Sequence, residues 1–166
     1  MAQALAKQGS REIEATAGGP ASDFVTFYVR DQLFGIPVLR VQDILEPDRI
    51  ARIPLAPPEV RGSINLRGRI VTVIDVRTRL GIRAAESAKS MGVTVEYTGE
   101  LYTLLVDKVG DVIGMDANSY EANPATLDPL WREFADGVHR LKGKLMVVLD
   151  IDRLLDIDGN SRGGRS

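Results

Sequence analysis

The sequence predicts an all-β fold with a few short helices, built as two similar small barrels of about five strands each that pack on one another. Three observations predict it. Apolar, β-branched runs of strand length alternate with turns marked by glycine and charge. The second half repeats the turns and helix starts of the first at fixed offsets. Helical periodicity is confined to brief stretches. A chain of 166 residues suits one ordinary domain or two very small ones.

Residues 1–22 are small and polar, and read as a flexible tail ending near Gly18-Gly19-Pro20, with at most a short amphipathic helix over 5–13. They lack the apolar stretch of about 7–15 residues that a secretory signal needs, and no run approaches the roughly 20 apolar residues of a membrane span. Residues 24–29 and 33–41 read as a hairpin around Arg30-Asp31-Gln32, in which Pro37 argues for an edge position or a bulge. Residues 64–66 and 69–74 make a second hairpin about Arg67-Gly68. Asp75 then caps a short helix that presents Val76 and Leu80 on one face, and Gly81 closes it.

The second half repeats this order. An offset of 68 lays Leu33 on Leu101, Ile36 on Leu104, Val41 on Val109 and Asp43 on Asp111. An offset of 75 lays Gly62 on Gly137, Gly68 on Gly143 and Asp75 on Asp150, with seven identities in the 21 positions from Gly62 to Ile82. The offsets differ by seven, which places an insertion of that length within residues 115–134 of the second copy. The boundaries expected are a first barrel over about 23–83, a second over about 91–157, with some strand exchange between them, and a flexible tail over 158–166. Helix is expected over 127–135, where Leu127, Leu130, Trp131 and Phe134 recur at helical spacing. Each copy would be marginal alone and would gain by packing on the other.

Little here carries catalytic chemistry. The absence of cysteine excludes disulfides, thiolate metal sites and thiol nucleophiles. The single histidine, His139, could serve as a general base, but it falls at the place of Ile64, an apolar strand position, and reads as a packed or surface histidine instead. Asp75 and Asp150 read as caps rather than a catalytic pair. Asp107, Asp111 and Asp116 lack the glycine and glutamate of a calcium loop, so no metal and no cofactor is expected. No nucleotide-binding glycine fingerprint and no serine-nucleophile elbow occur. From residue 23 to 83 ten basic and seven acidic residues give +3, and from 100 to 158 six basic and twelve acidic give −6. Arg61, Arg67 and Arg69 surround one hairpin tip. An SH3-like nucleic-acid binder is the alternative, but the 62–74 hairpin carries no aromatic residue on which a base would stack.

Several stretches resemble one family. They are Gly35-Ile36-Pro37-Val38-Leu39-Arg40-Val41-Gln42-Asp43-Ile44, Arg61-Gly62-Ser63-Ile64-Asn65-Leu66-Arg67-Gly68 and Ile74-Asp75-Val76-Arg77. In the second half they are Leu105-Val106-Asp107-Lys108-Val109 and Leu149-Asp150-Ile151-Asp152-Arg153-Leu154-Leu155. Together they make residues 23–157 similar to CheW, the family of bacterial chemotaxis coupling proteins. Asp43 stands where glutamate is common, and Thr103 where glycine is usual.

The resemblance implies a fold of two five-stranded SH3-like barrels sharing a core, and a non-enzymatic adaptor in the cytoplasm, at the inner face of the membrane through receptor arrays. It would bridge chemoreceptor tips to the regulatory domain of the histidine kinase CheA, and other copies of the same protein are further candidate partners. It implies partner contacts at Val41, Asp43 and Arg67, and at Val109 and Val112, for which core burial is the simpler reading. Gly62, Asn65 and Gly68 would shape the coupling hairpin. A groove between the barrels would accept a receptor helix.

Overall fold

The computed structural model describes residues 22–83, 89–122 and 124–157. In chain order the strands are β1 (Ser22–Val29), β2 (Gln32–Pro37), β3 (Val41–Leu45), β4 (Val60–Leu66), β5 (Arg69–Asp75) and β6 (Met91–Tyr97). Then come β7 (Glu100–Val106), β8 (Lys108–Met115), β9 (Tyr120–Glu121), β10 (Ala135–Leu141) and β11 (Lys144–Leu149). The helices are single turns: α1 (Val76–Arg79), α2 (Pro129–Arg132) and α3 (Ile151–Leu155). The protein is mostly β, as the alternating runs predict.

Two sheets form, one in the order β8-β1-β2-β11-β10-β9 and one in the order β3-β6-β7-β5-β4. Each therefore draws strands from both halves of the chain. Sheet one takes β1 and β2 from the first half, and sheet two takes β6 and β7 from the second. The two offsets reappear in the elements: β4 and β10 span equivalent residues at 75, and β2 and β7 start 68 apart. In both copies the join is parallel, β11 on β2 and β5 on β7. The sixth strand of sheet one, β9, lies within residues 115–134, the span expected to hold the insertion. Its counterpart in sheet two is a single bridge, Ala51 with Ser63, against Glu121 with Val138.

Strand alternation divides the apolar residues among three clusters. Phe34, Ile36, Ile74, Leu104, Val147 and Leu149 face a core shared by both sheets. The opposite faces bury Phe24, Leu33, Met146 and Val148 on sheet one, and Ile64, Val71, Val73 and Leu105 on sheet two. His139, at the place of Ile64, is fully buried against Phe24. Thr103, the departure from glycine, is also fully buried and shares a 2.7 Å hydrogen bond with Thr94 on the adjacent strand. Gly92 makes room for it: a Cβ there would lie 2.6 Å from the Thr103 methyl.

Both predicted caps form. Asp75 accepts from the backbone N–H of Arg77 and Thr78, and Asp150 from that of Arg153. Such a cap contributes about 1 kcal/mol. Three expectations need correction. Pro37 lies neither on an edge strand nor in a bulge; it is the last residue of β2, opposite Phe24 of β1 and past the last pairing with β11 at Gly35, and a strand end tolerates a residue without a donor. The second run is cut there by a 3-10 turn over Val38–Arg40. The helix expected over 127–135 shrinks to α2, because Asp128 caps it from within that span and Ala135 already pairs with Leu149 in β10. The tails at 1–21 and 158–166, and the helix suggested over 5–13, lie outside the described residues.

The sheets are joined at a charged crossing. Arg77, whose side chain is 4% exposed, donates from Nε to Asp75 at 3.1 Å and from Nη1 to Asp107 at 2.9 Å. Asp107 also accepts from the backbone N–H of Arg30, in the β1–β2 turn of the other sheet. Its carboxylate is thereby engaged, and no group of three or more potential metal ligands occurs among the described residues.

Candidate partner-binding surface

The motif residues converge on the outer end of sheet two. Its β4–β5 hairpin turns through Arg67 and Gly68, both with positive φ (52° and 84°), the geometry of a tight two-residue hairpin loop. Asn65 closes it by accepting from the Gly68 N–H at 2.9 Å. Gly62 is not part of the turn. It sits within β4 at a bulge opposite β5, with φ 147°, and a Cβ there would lie 2.1 Å from the carbonyl oxygen of Ala51. Only glycine lets the 46–51 segment close on β4 through the Ala51–Ser63 bridge.

Arg67 reaches from this turn to β3. Its Nη1 lies 2.8 Å from Asp43 Oδ2, with the arginine side chain 75% exposed and the aspartate 21%. β3 and β4 lie at opposite ends of the strand order, so this ion pair spans the two margins of a strongly curled sheet. At such exposure the pair itself stabilises the fold by about 0.2–1 kcal/mol. Its main consequence is positional: the guanidinium is held at the surface with donors to spare.

Around the pair lies apolar surface. Ile44 on β3 is 41% exposed and Ile70 on β5 is 73% exposed. An open cleft of about 580 Å³ beside them is lined by Leu45, Pro47, Ile50, Ile64, Asn65 and Ile70. Ile70 was not singled out in the sequence, because its run 70–74 reads as continuous core. Its cross-strand partner is Asn65, next to the turn, where no layer covers the sheet.

The remaining candidates fall elsewhere. Val41 starts β3 but packs, half-buried, against the shared core. Val109 and Val112 lie on β8, the margin of the other sheet. Val109 packs half-buried on the shared core, as the simpler reading has it, whereas Val112 is 59% exposed and belongs to no core cluster. Of the eight candidates, Asp43, Asn65, Arg67 and Gly68 come together at one surface and Val112 is exposed on the other sheet, while Val41 and Val109 pack on the shared core and Gly62 is buried within β4.

The family description "CheW-like domain" matches residues 23–158. The chain belongs to the CheW family. It is 30% identical over 138 residues to the chemotaxis protein CheW of Rhizobium meliloti, covering 82% of this chain and 88% of that protein. It is also 30% identical over 134 residues to the CheW of Klebsiella aerogenes, covering 80% and 81%. Among solved structures it is similar to the scaffolding protein TtCheW of Thermoanaerobacter tengcongensis, with a TM-score of 0.76 and 31% identity over 84% of this chain and 95% of that one. CheW proteins are chemotaxis scaffolds, not enzymes, and this chain is one of them. Among the described residues no helix is long and apolar enough to cross a membrane.

Proposed function

We propose that this chain couples the cytoplasmic tips of chemoreceptors to the regulatory domain of the histidine kinase CheA, and that the outer end of sheet two is a docking surface for one of them. The observation that carries the reading is the Arg67–Asp43 pair, set on exposed strand margins beside Ile44, Ile70 and an apolar cleft. An arginine with free donors fixes a partner carboxylate or carbonyl, while the isoleucines supply the apolar area that holds the partner. Val112 gives the other sheet a second exposed apolar position, suited to a further partner such as another copy of this chain. The protein would then act at the cytoplasmic face of the membrane, in receptor arrays.

A pull-down with the kinase regulatory domain and a receptor tip fragment, separately and together, tests this. Wild type should retain both. Arg67→Ala should weaken retention of at least one partner with an unchanged far-UV spectrum, and Ile70→Asp should do the same. Full retention by both variants would overturn the assignment of this surface. Val41→Asp is a poorer probe than the sequence suggests, since Val41 packs on the shared core and a charge there also destabilises the fold.

A further inference from the structure

His139 occupies a position that the first copy fills with Ile64, inside the private cluster of its sheet. It is fully buried, and its ring lies 5.3 Å from Phe24 and 5.5 Å from Tyr120, centroid to centroid. Its Nδ1 is 2.8 Å from Ser119 Oγ. Since that hydroxyl donates to the carbonyl oxygen of Asp116 at 2.9 Å, it accepts from the ring, which places the histidine proton on Nδ1. The other nitrogen, Nε2, is buried and has no hydrogen-bond partner.

The element that covers this ring is weakly held. β9 is two residues long and pairs with β10 at only two positions, His139 with Tyr120 and Val138 with Glu121. Its other ties are the Ser119 hydroxyl, the Tyr120 hydroxyl donating to the Asp136 carbonyl at 2.8 Å, and an exposed Arg140–Glu121 ion pair at 2.7 Å. Across β10, the ladder to β11 is six residue pairs long. Local opening begins where pairing is shortest.

We propose that His139 is an acid-sensitive latch: when it takes up a proton, the 116–121 segment is released from β10 while the rest of the sheet stays folded. Protonation puts an N–H on Nε2 with no acceptor and a positive charge in an apolar cluster, and opening the cover relieves both. Burial already holds the imidazole below its ordinary value, and the Asp116 charge opposes that effect only in part. Asp116 is the one carboxylate whose charge reaches it, and that charge does not offset burial. From β9, Tyr120 presents its ring, and Glu121 is engaged by Arg140. From β1 the contact is Phe24. From β11 the cross-strand partner is Met146. Opening would expose the edge of β10, a strand margin able to pair with another chain.

His139 is the only histidine in the chain, so the test is clean. Amide hydrogen exchange, corrected for intrinsic rates, is followed between pH 7 and pH 5 in wild type and in His139→Ile, which copies the first repeat. In wild type, opening of residues 117–121 should increase on acidification. The limit is about 25-fold, reached when only the open state binds the proton at the ordinary histidine value of about 6.5. The His139→Ile variant should lose this dependence, and the long β10–β11 ladder should stay protected in both proteins. Equal acid-induced opening in the variant, or unfolding of the whole sheet together, would overturn the latch. A proton-NMR titration of the single imidazole in wild type needs no variant: a midpoint at or above the ordinary value would also overturn it.

Discussion

Arg77→Met removes the buried cation at the crossing of the two sheets. The side chains of Arg77, Asp75 and Asp107 are 4%, 5% and 14% exposed, so screening by water is slight. Deleting one partner of a buried ion pair costs about 3–5 kcal/mol, because the charge left behind is uncompensated. Asp75 would keep the Arg61 guanidinium at 2.9 Å and two backbone N–H donors, and Asp107 would keep the Arg30 N–H. That places the expected loss near the lower bound, about 3 kcal/mol. For a domain of this size it corresponds to a fall in Tm of about 6–12 °C. Urea unfolding would be followed by far-UV circular dichroism and by the fluorescence of Trp131, the only tryptophan. The midpoint should fall with little change in slope. The double variant Arg77→Met with Asp107→Leu should lose less than the sum of the two single changes, since each leaves the other group unpaired. A loss below about 1 kcal/mol in Arg77→Met would refute the reasoning, because it would mean the crossing is solvated or redundant.

Three further outcomes follow from the geometry. Gly62→Ala should destabilise more than Gly68→Ala: both incur backbone strain of about 1–3 kcal/mol, but only at Gly62 does the new methyl collide with a backbone carbonyl, and parallel thermal melts would rank them. A double-mutant cycle on Asp43 and Arg67 should give a coupling to stability below about 1 kcal/mol, screened by salt. The same variants should lose partner affinity out of proportion to that figure, measured by calorimetry with the kinase regulatory domain. Stability should also decline on acidification. A histidine whose folded value is depressed gives its full contribution above the unfolded value of about 6.5 and loses it as pH falls toward the folded one. Urea midpoints at pH 7.5 and 5 should therefore differ less in His139→Ile than in wild type.

Much of the architecture is legible in the residues, and for local reasons. A cap needs only Asp75 or Asp150 and the N–H groups two and three residues on. A tight turn needs only Arg67-Gly68 between two strands. The duplication shows because those local devices recur at constant spacing. The errors over Pro37 and the 127–135 helix were also local: an apolar run does not by itself say where a strand stops, and a 3.6-residue period competes with a cap and a proline inside the same span. Ile70 was missed because strand alternation fixes which way a side chain points and not whether anything lies above it.

By itself, then, the sequence predicted about five strands in each repeat, against the five and six of the two sheets, together with the capped turns that follow β5 and β11, the near absence of catalytic groups, and the CheW signature. Tertiary structure decided which strands share a sheet. Alternation says that β3 and β8 each have an inward face but names no neighbour, since ladder bonds come from the backbone, which every residue carries. Only the fold pairs β3 with β6 and β1 with β8, and so gives each sheet strands from both halves. Only the curl of sheet two brings Asp43 within 2.8 Å of Arg67 from the opposite end of the strand order. Likewise only the fold closes β9 over His139, turning what reads as one more core position into a buried base with an unpaired nitrogen.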